Sequence, residues 1–274
     1  MSVNIHPSAF VDSNAQIADG VDIGPLCVVG PDVKLAKGVR LVSQVNIAGD
    51  TEIGPDCTLY PFVALGHPPQ DTKHKGGPVS LKIGARTVLR EAVNIHPGSD
   101  AGRTETIIGE DCYFMYGTHV AHEGLVGNNV VLSNGTQVGG CVTIGDNVII
   151  GGLCAVHQFT RIGANAFIGG MTTVVKDVIP YGISVGNKQI LNGLNVVGLK
   201  RAGFSKTQIH DMRAAYQTIF AGQGNFKERL NEVAGNYSDN EQIMRMVEFI
   251  KTADKRPVCL PATVSASPTV SGKE

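Results

Sequence analysis

The fold is decided by residues 108–178, which read IGEDCYFMYGTHVAHEGLVGNNVVLSNGTQVGGCVTIGDNVIIGGLCAVHQFTRIGANAFIGGMTTVVKDV. Apolar residues lead twelve consecutive hexads, and a small or β-branched residue follows each lead by four positions. The lead residues are Ile108, Phe114, Val120, Val126, Leu132, Val138, Ile144, Ile150, Val156, Ile162, Ile168 and Val174. The following residues are Cys112, Thr118, Gly124, Val130, Thr136, Val142, Val148, Cys154, Thr160, Ala166, Thr172 and Val178. Because about half of random positions would be polar, this run indicates a structural repeat.

The same period begins near the N-terminus, runs from Ile5 to Leu65 and resumes at Ile83 for three more hexads. A period of six matches neither a helical stripe nor simple alternation, and it is typical of a parallel β-helix. Three hexads would form one triangular coil of eighteen residues, so the chain predicts nearly nine coils. Glycine often follows the lead residue, as at Gly24 and Gly30, where we expect a corner to need a permissive backbone.

Two interruptions of the repeat, residues 66–82 and residues 98–106, are predicted to be loops that leave the β-helix. Both are polar, and the first contains HPPQDTKHKGG. Long loops on a rigid scaffold are where binding residues usually reside. We therefore expect binding residues in these two segments.

The repeat ends after Pro180, and three segments follow from this boundary. Residues 1–186 are predicted to form the β-helix with its two loops, and residues 187–256 a helical domain. Residues 257–274, PVCLPATVSASPTVSGKE, have the composition of a disordered tail.

Four helices are expected in the helical domain. The motif SKTQ from Ser205 and the motif SDNE from Ser238 each predict a capping box that opens a helix. A less regular helix is predicted over residues 189–201 and a short one over residues 226–233.

Composition and charge exclude several classes of protein. The net charge of −1 gives no field that would attract nucleic acid, so we expect no nucleic-acid partner. No apolar run is long enough to span a membrane, and the N-terminus lacks the features of a secretory signal, so we expect a cytoplasmic protein that is not integral to a membrane. Four of the six cysteines, Cys27, Cys57, Cys112 and Cys154, occupy interior positions of the repeat, where a thiol acts as a small apolar filler.

Three histidines, His119, His122 and His157, occupy positions that the repeat leaves outside the core. Taken alone, an outward histidine is most often a solvated surface residue. These three, however, lie in one segment of the β-helix beside Gly139 and Gly140, whose backbone N–H groups would be exposed. A histidine suits a general base for a hydroxyl nucleophile, and an exposed N–H suits an oxyanion donor.

A zinc site is the competing use of these histidines. His119 and His122 are three residues apart on an extended chain, a separation of up to roughly 10 Å. Metal ligands must converge to about 2 Å from one point, so the two would need a ligand from another chain. We therefore expect neither a metal nor another cofactor.

Several motifs resemble the UDP-N-acetylglucosamine O-acyltransferase family of lipid A biosynthesis. They are MYGTHVAHEGLVGN from Met115, AVHQF from Ala155, GLNVVGLKRAGF from Gly193 and QDTK from Gln70, and the resemblance covers residues 5–253. It implies a mainly β fold, a left-handed parallel β-helix of hexapeptide repeats followed by a C-terminal α-helical domain. It also implies a homotrimer with its sites between subunits.

The resemblance assigns roles to individual residues. His122 would be the general base that deprotonates the glucosamine 3-hydroxyl, with Glu123 as its orienting partner, and the backbone N–H of Gly140 would hold the oxyanion. The acyl donor would be a 3-hydroxyacyl chain on acyl carrier protein. The substrate-binding residues would be Asp71, Lys73, His119, Cys141, His157, Gln158, Asn195 and Arg201. Gly170 would lie where acyl length is measured and would leave room for a longer chain.

The sequence departs from the better-known family members at several positions. Cys141 stands in place of a histidine near the sugar, Glu123 in place of an aspartate, and Val197 and Ala202 in place of polar residues of the nucleotide pocket. Because of Cys141, a sugar acceptor with an amine at C3 in place of the hydroxyl stays open as an alternative. Three alternative functions also remain compatible with the residues. They are a scaffold protein, a γ-class carbonic anhydrase and the related N-acyltransferase, which normally carries a further N-terminal domain.

Overall fold

Three long sheets form the faces of a triangular prism in the computed structural model, which describes residues 2–262. The first sheet contains Asn4–Ile5, Asp22–Ile23, Arg40–Leu41, Thr58–Leu59, Val88–Leu89, Tyr113–Phe114, Val131–Leu132, Ile149–Ile150, Phe167–Ile168, Gly182–Val185 and Ile190–Leu194. The second contains Phe10–Val11, Val28–Val29, Asn46–Ile47, Ala64–Leu65, Asn94–Ile95, His119–Val120, Gln137–Val138, Ala155–Val156 and Thr173–Val174. The third contains Gln16–Ile17, Lys34–Leu35, Asp50–Ile53, Ser80–Ile83, Glu105–Ile108, Leu125–Val126, Thr143–Ile144 and Arg161–Ile162. Nine stacked strands in the second sheet match the predicted number of coils.

Residues eighteen apart pair in parallel, as the hexad period predicts. Val120 pairs with Val138, and Val138 pairs with Val156. The lead residues point inward and form one continuous apolar core, in which Phe114 and Leu132 are fully buried. Burying each such side chain contributes roughly 1.5–3 kcal/mol before the entropy cost. The four cysteines predicted to be interior filler are buried free thiols.

The corner glycines have a different cause from the one predicted. A left-handed backbone is found at non-glycine corner residues such as Glu123 (φ 63°), Cys141 (φ 58°) and Phe159 (φ 65°). Gly24 does not have a positive φ, but a Cβ there would overlap the backbone carbonyl of Val42 in the next coil. The tight stacking of coils therefore requires this glycine, and the expectation of a permissive φ was wrong.

The two predicted loops leave the same region of the β-helix and contact each other. Each is shorter than predicted, because the strands Ser80–Ile83 and Glu105–Ile108 begin before the hexad pattern resumes. Asp100 in the second loop accepts hydrogen bonds from the backbone N–H groups of Lys75 (3.0 Å) and Gly77 (2.8 Å) in the first. The two loops therefore form one structural unit.

Up to residue 262, four helices follow the prism: α1 (Val196–Arg201), α2 (Lys206–Ala221), α3 (Phe226–Asn236) and α4 (Glu241–Lys251). The capping box from Ser205 to Gln208 is confirmed. α4 is capped by Asn240, however, and not by Ser238 as predicted.

The predicted helix over residues 189–201 is wrong in its first half. Ile190–Leu194 forms a strand that pairs antiparallel with Gly182–Val185 and extends the first sheet. The predicted tail is also wrong at its start, because Cys259 is buried and its N–H donates to the carbonyl of Asp177 (2.7 Å). The remainder of the predicted tail, residues 263–274, lies outside the described residues. Among residues 2–262, no helix is long and apolar enough to cross a membrane.

Candidate active site

His122 and Glu123 form a hydrogen-bonded pair at one edge of the prism. This edge, here called the histidine edge, consists of the stacked corners 121–124, 139–142 and 157–160, which link the second sheet to the third. His122 Nδ1 lies 2.8 Å from Glu123 Oε2, and both side chains are largely shielded from solvent. A carboxylate only accepts, so Nδ1–H donates and Nε2 is left free to take a proton.

Glu123 is held by three further contacts that come from distant parts of the chain. The backbone N–H of Arg103 in the second loop donates to its Oε1. The Cys141 thiol donates to its Oε2 (3.1 Å), and its own N–H donates to Thr106 Oγ1 (2.8 Å). A carboxylate fixed in this way fixes the ring of His122, as an orienting partner of a general base must do.

Gly140 follows His122 on the histidine edge and lies directly against its ring. A Cβ at this position would lie 2.6 Å from both Cε1 and Nε2 of His122, so only glycine leaves room for the ring. Within residues 2–262 the N–H of Gly140 has no hydrogen-bond partner. The equivalent corner position of a lower coil is Pro31, which has no N–H to donate. A free N–H beside the base suits an oxyanion donor.

Cys141 is part of the same cluster but stays a thiol. Burial, together with the hydrogen bond to Glu123, raises the pKa of Cys141 to about 12. His122, Glu123 and Cys141 are also the described residues that could hold a metal ion, since their ligand atoms lie within 4.8 Å of one another. This set differs from the His119–His122 pair weighed in the sequence. In the present geometry the donors hydrogen-bond to each other, which is the arrangement of an oriented base.

The first loop brings Asp71 and Lys73 to the groove in front of His122. Asp71 accepts from the Ser99 hydroxyl (2.7 Å) and from the N–H of Lys73 (3.0 Å), and the bond from Ser99 chiefly lowers its pKa. The groove has a volume of about 860 Å³ and runs along the histidine edge to the end of α4. Asp71 and Lys73 therefore line the same groove as His122.

His96, which the sequence did not single out, holds this loop from below. It is 4% exposed and its Nδ1 accepts the N–H of Gln70 (3.1 Å). Its ring contacts the edge of the His119 ring at 5.1 Å, and His119 in turn pairs with Asn94 (2.8 Å). Burial lowers the pKa of His96 to about 4 and also lowers that of His119.

We expect His96 to make the protein less stable in acid. Its pKa is lower in the folded chain than in the unfolded one, so the unfolded state binds the proton first as the pH falls from about 6.5 to about 4. The free energy of unfolding should therefore decrease by about 2–3 kcal/mol over this window. In His96→Asn, which keeps an acceptor for Gln70 but does not titrate, this part of the loss should be absent. Urea unfolding at several pH values measures it.

The matched control is His210→Asn on the exposed face of α2. Its stability should change with pH as in the wild type. Equal acid sensitivity in the wild type and His96→Asn would contradict the assignment.

His157 and Gln158 are exposed at the next corner of the histidine edge. His157 Nδ1 lies 2.6 Å from Arg256, a residue that the sequence had placed at the end of the helical domain without a role. No local pattern signals this contact, because the two residues are 99 positions apart.

Three of the predicted site residues lie away from the histidine edge. Asn195 caps α1 and donates to the carbonyl of Asn165 (3.0 Å), and Arg201 ends the same helix. Gly170 is exposed beside Gly152 at a third edge. Within one chain, therefore, the fold does not bring these residues to His122.

The fold and the site together define a hexapeptide-repeat acyltransferase with an oriented histidine at the edge of a β-helix. A family model described as "Udp N-acetylglucosamine O-acyltransferase; Domain 2" matches residues 177–259. Acyl-[acyl-carrier-protein]–UDP-N-acetylglucosamine O-acyltransferases are similar to nearly the whole chain. The one from Mesorhizobium japonicum is 50% identical, over 96% of this chain and 94% of the relative. The one from Azorhizobium caulinodans is 52% identical, over 94% and 95%.

Solved structures agree with these relatives. The crystal structure of the UDP-N-acetylglucosamine O-acyltransferase from Moraxella catarrhalis superposes with a TM-score of 0.89 at 37% identity, over 93% of this chain and 98% of that one. The chain belongs to the UDP-N-acetylglucosamine O-acyltransferase family. The expected left-handed parallel β-helix with a C-terminal helical region is thereby confirmed.

Proposed function

We propose that the protein transfers a 3-hydroxyacyl chain from acyl carrier protein to the glucosamine 3-position of UDP-N-acetylglucosamine, the first step of lipid A biosynthesis. The observation that carries the proposal is the His122–Glu123 pair beside the free N–H of Gly140. The names of the relatives supply the substrate classes.

In this mechanism Nε2 of His122 takes the proton from the 3-hydroxyl of the sugar. At the same time the hydroxyl oxygen attacks the carbonyl of the thioester on the carrier. The Gly140 N–H stabilises the oxyanion that forms, in the manner of an oxyanion hole. The intermediate collapses with loss of the carrier thiolate, which receives the proton from His122. Glu123 keeps the ring in the tautomer that allows both transfers.

The substrate-binding roles are those that the family resemblance implies. Asp71, Lys73 and His119 would orient the sugar, and His157 and Gln158 the nucleotide; of these, Asp71, Lys73 and Gln158 line the groove. Cys141 motivates a second candidate acceptor, a UDP-sugar with an amine at C3, because it stands beside the base where better-known family members carry a histidine.

We further propose that the protein is a homotrimer. Large apolar side chains are exposed along one edge, which we call the apolar edge: Leu26 (59%), Phe62 (60%), Leu153 (69%) and Met171 (73%). An exposed apolar row of this kind is typical of an interaction surface. In the trimer, the histidine edge of one copy would pack against the apolar edge of the next. The interface would then bring Gly170, Asn195 and Arg201 of one copy to the histidine edge of its neighbour, where a single chain does not place them.

A cytoplasmic location is part of the proposal. All six cysteines are free thiols in the fold, and Cys141 acts as a hydrogen-bond donor only in that state. Such thiols are typical of a reducing compartment.

The test offers the purified protein UDP-N-acetylglucosamine and its 3-amino analogue, each with carrier-bound 3-hydroxyacyl chains of several lengths. Transfer to the hydroxyl acceptor supports the proposal, and preference for the amine supports the second candidate. No transfer to either, together with stoichiometric zinc and CO₂ hydration, would establish a γ-class carbonic anhydrase instead.

We expect Gly170→Met to shorten the acyl chain that the enzyme prefers. Gly170 is exposed, and a Cβ there makes only ordinary contacts, so the longer side chain projects outward without disturbing the coil. It would fill space otherwise available to the end of the acyl chain. The kcat/KM of the longest accepted donor should fall about tenfold or more, as for the loss of a few buried methylenes. Donors about four carbons shorter serve as the internal control, and an equal loss for all donors would contradict a role in chain length.

A further inference from the structure

The segment that follows α4 is fixed across the end of the groove. At its start, Arg161 donates to Thr252 Oγ1 (3.0 Å) and to the carbonyl of Phe249 (2.9 Å). The same guanidinium pairs with the buried Asp177 through Nε (2.6 Å). Arg161 therefore ties the end of α4 to the last coil of the β-helix, with one N–H of each of its three guanidinium nitrogens engaged.

The other end of the segment is held by Asp177 as well. The N–H of Asp177 donates to the carbonyl of Pro257 (2.9 Å), and its carbonyl accepts from the buried Cys259 (2.7 Å). Residues 252–259 thus form a strap with both ends anchored, and Lys255 and Arg256 lie between the anchors.

Arg256 reaches the two exposed residues of the histidine edge. Its Nη2 lies 2.6 Å from His157 Nδ1, and its Nε donates to the carbonyl of Gln158 (3.1 Å). A guanidinium only donates, so His157 Nδ1 accepts and its Nε2 carries the hydrogen. The weaker contact of Nδ1 with the Gln158 carbonyl (3.2 Å) would require a hydrogen on Nδ1 and cannot exist with it. Three of the five guanidinium N–H donors remain available to a ligand.

Lys255 lies next to Arg256 and covers Phe159, with its Nζ 4.5 Å from the ring centre. Within the described residues, neither Lys255 nor Arg256 has a carboxylate within 4.0 Å. The nearby acids are mostly engaged: Asp177 pairs with Arg161, and Glu123 with His122. The exposed Asp254 on the same strap also faces the groove.

We propose that Lys255 and Arg256 bind a phosphate group of a substrate at the upper end of the groove. The proposal rests on the proposed function, which places a nucleotide diphosphate and a carrier-bound phosphopantetheine arm near this surface. Two anchored cations without carboxylate partners, one of them with free N–H donors in a fixed plane, suit the oxygens of a phosphate ester. Because Arg161 and Asp177 already fix the strap, binding a phosphate would cost little conformational entropy.

Titration of the full-length protein with UDP and with uridine separates the phosphate contribution from that of the base. In Arg256→Ala we expect the Kd for UDP to rise about tenfold or more, as for loss of a charged hydrogen bond. The Kd for uridine should stay within about twofold, and Arg256→Lys should recover part of the affinity for UDP. Lys251→Ala, an exposed cation at the end of α4, is the matched control and should bind UDP like the wild type.

A second arm distinguishes the two possible phosphates. The kcat/KM is measured for an acyl-pantetheine donor with and without its phosphate, in wild type and Arg256→Ala. If the affinity for UDP falls, the ligand is the nucleotide diphosphate. If instead only the preference for the phosphorylated donor is lost, the ligand is the phosphate of the carrier arm. Either result supports the pair as a phosphate site.

Two outcomes would overturn the inference. One is unchanged affinity for UDP together with an unchanged preference for the phosphorylated donor, in both Arg256→Ala and Lys255→Ala. The other is equal weakening of UDP and uridine, which would show that Arg256 acts only through the position of His157. Because the UDP titration needs no acyl transfer, failure of the proposed function would appear separately, as a wild type that binds UDP and transfers nothing.

Discussion

Replacing His122 with alanine is expected to lower kcat for acyl transfer by about 10³-fold, within the range of 10² to 10⁴ that a positioned general base contributes. Its Nε2 has no hydrogen-bond partner in the described part of the chain, and its Nδ1 is committed to Glu123. Removing the imidazole leaves the acceptor hydroxyl without a base, while Glu123 retains its bonds to Arg103 and Cys141. Steady-state rates with saturating acceptor and carrier measure the effect.

The fold should survive this change, since His122 lies outside the apolar core. The thermal midpoint should stay close to that of the wild type. His210→Ala, which removes an exposed histidine from α2, should keep full activity. Full activity of the His122→Ala protein would contradict general-base catalysis by His122, whatever family the chain belongs to.

Gly140→Ala is expected to lower kcat by about 10²-fold, because a displacement of roughly 1 Å at a reacting group can have that effect. The new methyl group would lie 2.6 Å from His122 Cε1 and Nε2, so the ring must move. The ring is tied to Glu123 at 2.8 Å, so the displacement would disturb that bond as well. Activity should fall while the N–H of residue 140 remains in place.

Gly30→Ala is the matched control for this substitution. Gly30 also lies at a corner between the second and third sheets, several coils from the site, and a Cβ there would come no closer than 3.3 Å to the Ile47 carbonyl. We expect activity within about twofold of the wild type, as for surface changes away from a site. Comparable losses in the two variants would mean that the effect is a general one on coil stacking. Full activity of Gly140→Ala would contradict the close fit of the base.

The helical region shows where sequence patterns fail. Residues 190–194 have no strong local preference, and they form a strand because Gly182–Val185 offers an open sheet edge. Ser238 opens a capping-box motif, yet α4 is capped by Asn240, whose side chain accepts the N–H of Ile243. Residues 257–259 looked disordered by composition, yet the backbone of Asp177 supplies their hydrogen bonds. Only in the last case is the deciding partner distant in sequence, since Asp177 belongs to the last coil of the β-helix and Cys259 follows the helices.

The histidine edge is intermediate between these cases. The period of eighteen placed His122, Gly140 and Gln158 in one column, because coils of equal length stack residues at that spacing. The resemblance then gave them roles. His96 and Arg256 escaped detection, since one is buried beneath a loop and the other reaches the edge from the far end of the chain.

The sequence by itself therefore determined the prism, its interior and the column that carries the base. A repeat fixes these because each hexad buries its lead residue in the same way, and the neighbouring coil is always eighteen residues away. Only the tertiary structure decided how Glu123 is held, which histidine supports the first loop, and that Arg256 contacts His157 and Gln158. Those contacts join loops, strap and coils at separations that no repeat prescribes, so they depend on the folded shape of the whole chain.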